Sequence, residues 1–364
     1  MAKFVTNDEV MGVLQGFNPW WISKRVAVPD FKRLAFHIAQ KYLDDPSLRR
    51  AILLAGSRRV GKSTILNQIA AAKSDAGEDP RSILYVSLDH PVLRMVSLSE
   101  ILVLYHSTVY PEGQPVTLLL DEIHYASDWE LEIKQIVDHR PNYRILATGS
   151  ASVVHKHLLA ESGVGRWINL SIPTLSFYEY IQIRNEHLPS ISPSLIPSEL
   201  VRLSDGERRN IAAAFRPLLP AFHQYLFVGG FPETALSNDM SLAQRLLRED
   251  VVERVLRRDM VALFGVRNVE ELERLFLYLC FNSGGIVAVN TVASELGTTR
   301  TTVANHLDVL ERAHLIYRLS PIATGGKKIL KAKPSVKRRW RRFPPRDKSV
   351  KRLEILMNTC ITSC

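Results

Sequence analysis

The sequence has few cysteines, and they form none of the patterns that bind zinc or build a disulfide framework. Only three occur among 364 residues: Cys280, Cys360 and Cys364. They make no C-x-x-C pair and have no histidine at metal-ligand spacing. Neither a disulfide-stabilised secreted domain nor a structural zinc domain is therefore expected.

Long apolar runs are also lacking. No stretch approaches the roughly 20 apolar residues that a helix needs to cross a bilayer. The amino terminus, Met-Ala-Lys-Phe-Val-Thr-Asn-Asp-Glu, lacks the basic and then apolar pattern of a secretion signal. With 46% hydrophobic and 23% charged residues, the composition indicates a soluble protein of two or three domains. We expect a cytoplasmic location and no membrane partner.

Net charge is scarce outside the carboxyl-terminal part of the chain. The formal net charge is +10, but residues 327–352 contain 13 Lys and Arg and a single acid, Asp347. Without them, 34 basic and 36 acidic residues remain, a net charge of −2. Any attraction to nucleic acid through net charge therefore depends on this segment alone.

The first pattern that indicates a ligand is a short apolar run followed by two glycines. Residues 51–55 predict a buried parallel strand, and residues 63–72 predict an amphipathic helix. The loop between them follows the pattern G-x-x-x-x-G-K-[ST], which wraps a phosphate with backbone N–H groups at the positive end of a helix. A chance glycine-rich turn is the alternative. The loop and the start of the helix comprise Gly56, Ser57, Arg58, Arg59, Val60, Gly61, Lys62, Ser63 and Thr64.

A phosphate loop needs an acidic element, and the chain supplies one after its third predicted strand, at residues 116–120; the second is predicted at residues 82–88. Asp121 would lie at the carboxyl end of that strand, where parallel sheets bind ligands. We expect Lys62 to reach the β- and γ-phosphates, and Ser63 and Asp121 to hold Mg²⁺, the latter directly or through water. Glu122 would polarise the attacking water. An Asp-Glu pair alone is common at strand ends, but with the loop it indicates ATP and Mg²⁺ as ligands.

Two further sites could act on the γ-phosphate. The strand predicted at residues 143–150 has a polar tip, which makes Thr148 and Ser150 candidate sensors, with a plain β-turn as the alternative. Arg166 could meet transition-state charge in cis or from a neighbouring subunit of an oligomer. The alternative is a surface arginine in a loop.

Several more motifs occur at Leu175-Ser176-Phe177-Tyr178-Glu179, Gly229-Gly230-Phe231-Pro232-Glu233 and Arg258-Asp259. Together with the loop, Leu120-Asp121-Glu122-Ile123-His124 before Trp129, Thr148-Gly149-Ser150 and Gly165-Arg166, they resemble the prokaryotic AAA-type ATP-binding proteins that carry a C-terminal domain of unknown function. The resemblance covers roughly residues 15 to 335. It implies a P-loop sheet with a helical lid and a winged helix, and ATP with Mg²⁺ as ligand. Because family members are mostly known as predicted ATP-binding proteins, it implies a cofactor more firmly than a biological role.

The alternation of strands and helices predicts an α/β fold, a parallel sheet with helices on both faces. Trp20 and Trp21 are predicted to pack an N-terminal extension onto the nucleotide domain, with a partner-binding patch as the alternative. The expected divisions are a helical extension at 1–50, an AAA-type ATPase domain at 51–190, a helical lid at 191–270, a winged helix-turn-helix at 271–333 and a basic tail at 334–364.

Helices predicted at 270–281, 292–296 and 300–312, with a turn at 297–299, indicate a helix-turn-helix. Residues 315–319 and 327–330 would form its wing. The alternative to DNA binding is packing against the ATPase body or a protein partner, because Arg300 is followed by acidic Asp308 and Glu311. The candidate DNA contacts are Thr298, Thr299, Arg300, Thr301 and Asn305 in a groove, and Lys327 and Lys328 on phosphates.

From Val336 onward the chain departs from the family. The resemblance leads one to expect an apolar strand that continues into a further domain, but the sequence reads Lys337-Arg338-Arg339-Trp340-Arg341-Arg342-Phe343. One interpretation is a basic arm with interleaved aromatics for nucleic acid. We favour the other, a truncated or out-of-frame end.

The sequence therefore predicts an ATP-binding and Mg²⁺-dependent ATP-hydrolysing protein that couples nucleotide state to an unidentified protein or to DNA. The alternative is a nucleotide-controlled switch with little turnover, which uses the winged helix for docking. The presence of Glu122 favours hydrolysis.

Overall fold

A five-stranded parallel sheet forms the core of the first part of the chain. In the computed structural model, the strands are β1 (Ala51–Gly56), β2 (Ile83–Ser87), β3 (Val116–Asp121), β4 (Tyr143–Ser150) and β5 (Trp167–Ile172). Their order across the sheet is β2-β3-β4-β1-β5. The structure describes residues 5–22, 25–150, 165–189, 202–261, 265–266, 268–283, 285, 287–313 and 315–318.

Helices connect and cover these strands. They are α1 (Asn7–Phe17), α2 (Leu34–Leu43), α3 (Lys62–Asp75), α4 (Leu98–Thr108) and α5 (Trp129–His139). Every residue of β1, β2 and β3 is buried, as expected for strands covered on both faces. The predicted α/β class, with a parallel sheet and flanking helices, is confirmed.

The N-terminal extension closes the free edge of β2. Asn18 donates from Nδ2 to the Tyr85 carbonyl at 2.8 Å and accepts from the Tyr85 N–H at 2.7 Å. The indole N–H groups of Trp20 and Trp21 both donate to the Ile83 carbonyl at 2.9 Å. These bonds satisfy backbone groups that an edge strand would otherwise leave open. The two tryptophans pack the extension onto the sheet, as the sequence predicted.

The chain divides into two compact units, and the main boundary lies between Pro173 and Thr174, with Arg312–His314 grouped with the first unit. Residues 5–22 and 25–50 therefore belong to the same unit as the sheet. In the second unit, a cluster of aromatic rings from α6 (Phe177–Ile183) and α8 (Leu219–Val228) forms part of the core, and the Tyr225 hydroxyl donates to the Leu175 carbonyl at 2.8 Å.

The remaining helices of the second unit follow the predicted helical character of this region. They are α7 (Asp205–Phe215), α9 (Pro232–Ala235), α10 (Met240–Leu246), two π-helical segments (Leu247–Glu253 and Val255–Asp259), α11 (Val269–Phe281), α12 (Val289–Leu296) and α13 (Arg300–Arg312). Among the helices that the structure describes, none has the length and the apolar character needed to cross a membrane.

The last two helices and the glycine turn between them lie where the sequence predicts them, and the winged helix-turn-helix itself stays a prediction. Gly297 ends α12 with φ +67°, a conformation that favours glycine, and the Thr299 hydroxyl accepts from the Thr302 N–H at 3.1 Å at the start of α13. The described residues 315–318 form no strand, and residues 327–330 lie outside the described part of the chain. The wing therefore stays a prediction.

Candidate functional site

The loop between β1 and α3 is built tightly against its neighbours. A Cβ on Gly56 would lie 2.4 Å from the Ile172 carbonyl oxygen, so only glycine fits between β1 and β5. Val60 is fully buried, which fixes the middle of the loop. Gly61 precedes α3 with φ +93°, where a side chain would be strained. The loop therefore has the shape that close backbone approach to an anion requires, and the first N–H groups of α3 lack partners within the helix.

Lys62 is held inside this loop. Its side chain is only 5% exposed, and Nζ donates to the carbonyls of Gly56 at 3.1 Å and Ser57 at 2.9 Å. An ammonium group this deeply buried needs such partners, because an unpaired buried charge is costly. The two bonds point the positive charge into the turn of the loop.

The sheet order brings Asp121 and Thr148 side by side. Strand β4 lies between β3 and β1, and its register pairs Leu120 with Ala147 and Leu54 with Thr148. The fully buried Thr148 hydroxyl donates to Asp121 Oδ1 and accepts from the Glu122 N–H at 2.9 Å. One hydroxyl therefore links the two consecutive acidic residues at the end of β3, Asp121 and Glu122.

Glu122 adopts an unusual backbone conformation and lies in a largely buried environment. Its φ is +51°, which non-glycine residues rarely adopt. Burial raises the pKa of its carboxyl, while the positive charge of Lys62 acts in the opposite direction. A carboxyl with a raised pKa is a better proton acceptor in its charged form than a fully hydrated one.

His124 stands beside this carboxyl. Its Nδ1 lies 3.3 Å from Glu122 Oε2 but makes no well-formed hydrogen bond within the described residues. Burial, followed by the charges of Arg58 and Lys62, lowers the pKa of His124 to about 4. The imidazole is therefore neutral near pH 7, and the pair is a polar contact rather than an ion pair.

The N-terminal extension also reaches the phosphate loop. The buried guanidinium of Arg33 donates to the Val60 carbonyl at 3.0 Å and to the Pro173 carbonyl at 2.9 Å. From α3, Gln68 donates to the carbonyls of Pro29 and Phe31 at 2.8 and 2.9 Å. Residues 29–33 are thereby fixed against the loop and the helix that follows it.

Arg166 lies away from these residues. It precedes β5, where Ala51 at the amino end of β1 donates to its carbonyl at 2.9 Å, and its Nε donates to Asp138 at 3.0 Å. A six-residue strand, roughly 20 Å long, separates this end of the sheet from Gly56. The prediction that Arg166 acts on the phosphates within its own subunit is therefore wrong, because the phosphate loop lies at the other end of the sheet. A role across a subunit interface stays a prediction.

The remaining candidates lie in three places. Ser150 ends β4 in register with Gly56, at the edge where the phosphate loop begins. Thr299, Arg300, Thr301 and Asn305 are exposed at the start and on the surface of α13, and Thr298 is half-buried in the turn before it. Lys327, Lys328 and the basic tail lie outside the described residues.

Sequence reasoning missed three side chains at this site. Tyr85 donates from its hydroxyl to Asp121 Oδ2 at 2.8 Å, Arg33 holds the loop, and His124 stands beside Glu122. Of these, only His124 lies in a motif of the sequence, Leu120-Asp121-Glu122-Ile123-His124. The sequence around Tyr85 is typical of an ordinary core tyrosine. The sequence around Arg33 is typical of a solvent-exposed arginine before a helix.

The donors gathered here suit a magnesium ion. Ser63 is the second residue of α3, after Lys62, and Asp121 ends β3 with both carboxylate oxygens oriented by hydrogen bonds. Hydroxyl and carboxylate oxygens are the ligands that Mg²⁺ prefers, with water filling the other positions.

Two family descriptions match the chain. Residues 48–181 match an AAA domain, and residues 219–336 match a domain of unknown function (DUF8612). An uncharacterised protein of Methanocaldococcus jannaschii is 27% identical over 305 residues, 80% of this chain and 61% of that protein. An uncharacterised protein of Haemophilus influenzae is 25% identical over 285 residues, 77% of this chain and 64% of that protein. The chain thus spans about three fifths of the length of the curated relatives it matches.

Solved structures with a related arrangement have low overall similarity. AMPPCP-bound DnaA from Aquifex aeolicus is 16% identical with a TM-score of 0.33, over 79% of this chain and 89% of that chain. The RuvB Holliday junction branch migration motor of Thermotoga maritima is 19% identical with a TM-score of 0.34, over 90% of this chain and 95% of that chain. At these scores, neither likeness supports a functional argument.

Proposed function

The chain belongs to the AAA-type P-loop proteins that carry a C-terminal domain of unknown function, and we propose that it binds ATP with Mg²⁺ and hydrolyses it. The main support for this proposal is that the Thr148 hydroxyl bonds both to Asp121 and to the Glu122 backbone. Thr148 lies on the strand beside β1, which leads into the phosphate loop. A phosphate-binding loop alone would support nucleotide binding. The acidic pair oriented beside it supports hydrolysis.

Each residue has a role that follows from its environment. Lys62 and the loop N–H groups would bind the phosphates, and Ser63 and Asp121 would hold Mg²⁺. The bound ion would neutralise charge that develops on the phosphate oxygens. Glu122 would accept a proton from the attacking water, and Thr148 would keep the Glu122 backbone aligned with Asp121.

A switch with little turnover is the second candidate, and the position of Arg166 favours it. An arginine that meets transition-state charge can supply a rate factor of about 10³ to 10⁵. Because Arg166 pairs with Asp138 at the other end of the sheet, it does not supply this charge within its own subunit. The isolated chain would then bind ATP for long periods and hydrolyse it only in an assembly.

Steady-state ATP hydrolysis by the purified chain tests this proposal. We expect Glu122→Gln to lower kcat by at least about 100-fold while ATP binding persists, and Lys62→Ala to weaken binding itself. Glu112→Gln is the matched control, since Glu112 is an exposed acid before the amino end of β3. Equal rates in wild type and Glu122→Gln would refute the base assignment, and binding without turnover at every protein concentration would favour the switch.

Coupling to DNA is the more specific part of the proposal. It is supported by the exposed polar surface at the start of α13, including Arg300. We expect duplex DNA to raise the hydrolysis rate in a salt-dependent manner, and Arg300→Ala to reduce this effect. The control is Arg274→Ala, an exposed arginine on α11. If both arginine variants respond to DNA as wild type does, the helix-turn-helix serves protein contacts instead.

A further inference from the structure

Tyr85 reaches the candidate metal ligand from a neighbouring strand. It lies on β2, and its hydroxyl donates to Asp121 Oδ2 at 2.8 Å. In the β2–β3 register Tyr85 pairs with Leu119, two residues before Asp121. The side chain therefore extends along the sheet towards its carboxyl edge, where the phosphate loop also begins.

The two oxygens of Asp121 are each engaged by a different strand. Thr148 on β4 donates to Oδ1, and Tyr85 on β2 donates to Oδ2. A carboxylate oxygen has about two acceptor positions, so each oxygen keeps one for a metal ion or a metal-bound water. Two donors on opposite sides fix the rotation of the carboxylate about its χ2 angle, which is otherwise broad.

The Tyr85 hydroxyl is the donor in this pair. Its oxygen lies 2.8 Å from Asp121 Oδ2. An ionised carboxylate has no hydrogen to donate, so the hydrogen of the phenol points at the carboxylate.

The backbone of Tyr85 is fixed as well as its side chain. Asn18 makes two hydrogen bonds to the Tyr85 main chain, at 2.7 and 2.8 Å, in the way that a neighbouring strand would. Trp20 and Trp21 bind the same edge two residues earlier, at Ile83. The extension thereby holds β2 in place at the residue that contacts Asp121.

We propose that Tyr85 is a positioning residue for magnesium, which orients the Asp121 carboxylate so that its remaining acceptor positions face the metal or its water. The inference deepens the proposed function and rests on it. A core tyrosine without this role would affect stability, but it would leave the magnesium dependence of nucleotide binding unchanged. Residues that orient metal ligands typically change metal affinity or activity by about 10- to 100-fold when they are removed.

Equilibrium binding of a non-hydrolysable fluorescent ATP analogue separates these roles without turnover. The affinity is measured in EDTA and at increasing Mg²⁺ concentrations for wild type, Tyr85→Phe and Tyr105→Phe. Tyr105 is the matched control, because it is fully buried in the same unit and its hydroxyl donates to the Arg81 carbonyl at 2.5 Å, not to Asp121. Both substitutions remove one buried hydroxyl.

We expect Tyr85→Phe to raise the half-saturating Mg²⁺ concentration about tenfold, with unchanged affinity in EDTA, while Tyr105→Phe behaves as wild type. In an Asp121→Asn background, Tyr85→Phe should cause no additional shift. The inference is overturned if the two phenylalanine variants respond equally to Mg²⁺, or if Tyr85→Phe weakens binding equally with and without the metal. If the affinity of the wild type for the analogue does not change with Mg²⁺, the metal role in the proposed function is overturned as well. The wild-type titration therefore distinguishes failure of the proposed function from failure of the Tyr85 inference alone.

Discussion

Replacing Thr148 by valine should destabilise the first unit, because its hydroxyl serves two groups at once. It donates to Asp121 and accepts from the Glu122 N–H at 2.9 Å, in a position with no solvent exposure. Valine has nearly the same volume, so the substitution leaves no large cavity. The effect therefore comes from the hydrogen bonds.

The size of the effect follows from what is left without a partner. A hydrogen bond to a charged group contributes about 1.5–3 kcal/mol, and a buried N–H group without a partner costs about 1–3 kcal/mol. Since the two bonds share one hydroxyl and are not additive, we expect the free energy of unfolding to fall by about 2–4 kcal/mol. Thr148→Ser should recover most of this loss.

Urea unfolding followed by tryptophan fluorescence measures this quantity for the first unit. Trp20, Trp21, Trp129 and Trp167 all lie before Pro173, and Trp340→Phe in every variant removes the one tryptophan beyond it. Thr117→Val is the matched control: Thr117 is buried on β3, and its hydroxyl forms no hydrogen bond within the described part of the chain. The reasoning is refuted if Thr148→Val lowers the free energy of unfolding no more than Thr117→Val does. It is also refuted if Thr148→Ser is as unstable as Thr148→Val.

Two further predictions concern the residues around this network. Because the pKa of His124 is lowered to about 4, the unfolded chain binds a proton that the folded chain does not between about pH 6.5 and pH 4. The unfolding free energy should therefore fall by about 2–3 kcal/mol between pH 7 and pH 4.5. The measurement is urea unfolding of wild type and His124→Asn at these two pH values. If the unfolding free energies of the two proteins change in parallel with pH, the burial of a neutral imidazole is contradicted. Gly56→Ala should lower the thermal midpoint and abolish ATP binding, since its Cβ would lie 2.4 Å from the Ile172 carbonyl oxygen. Gly12→Ala, in open space on α1, should instead raise the thermal midpoint slightly. Equal thermal midpoints for the two alanine variants would show that β5 moves to accommodate the added Cβ.

The strands and the phosphate loop could be predicted because their signals are local. The apolar runs before Gly56 and Asp121 have the length and composition of buried strands, and the glycine spacing is set by the geometry of the loop itself. The two helices on either side of Gly297 were predicted for the same reason. Each of these features depends on fewer than about 15 consecutive residues.

The contacts between these elements could not be predicted in the same way. Whether Thr148 meets Asp121 depends on β4 lying between β3 and β1, and an order of strands across a sheet is a non-local property. The same holds for Arg166, whose position at the amino end of β5 is fixed by its register with Ala51. Its sequence context, a glycine-rich loop, is equally compatible with a site at either end of the sheet.

The N-terminal extension shows how an unremarkable sequence becomes part of a site. Asn18 completes the hydrogen bonds of β2 at Tyr85, and Arg33 binds the carbonyl of Val60 within the phosphate loop. Both contacts use backbone groups that the sheet and the loop leave open, so they depend on the fold and not on any motif. The extension therefore contacts the candidate site on two sides, at the metal ligand through Tyr85 and at the loop through Arg33. We therefore expect loss of the Asn18 contacts to alter metal binding and loss of the Arg33 contact to alter phosphate binding, although neither residue belongs to a recognisable nucleotide motif.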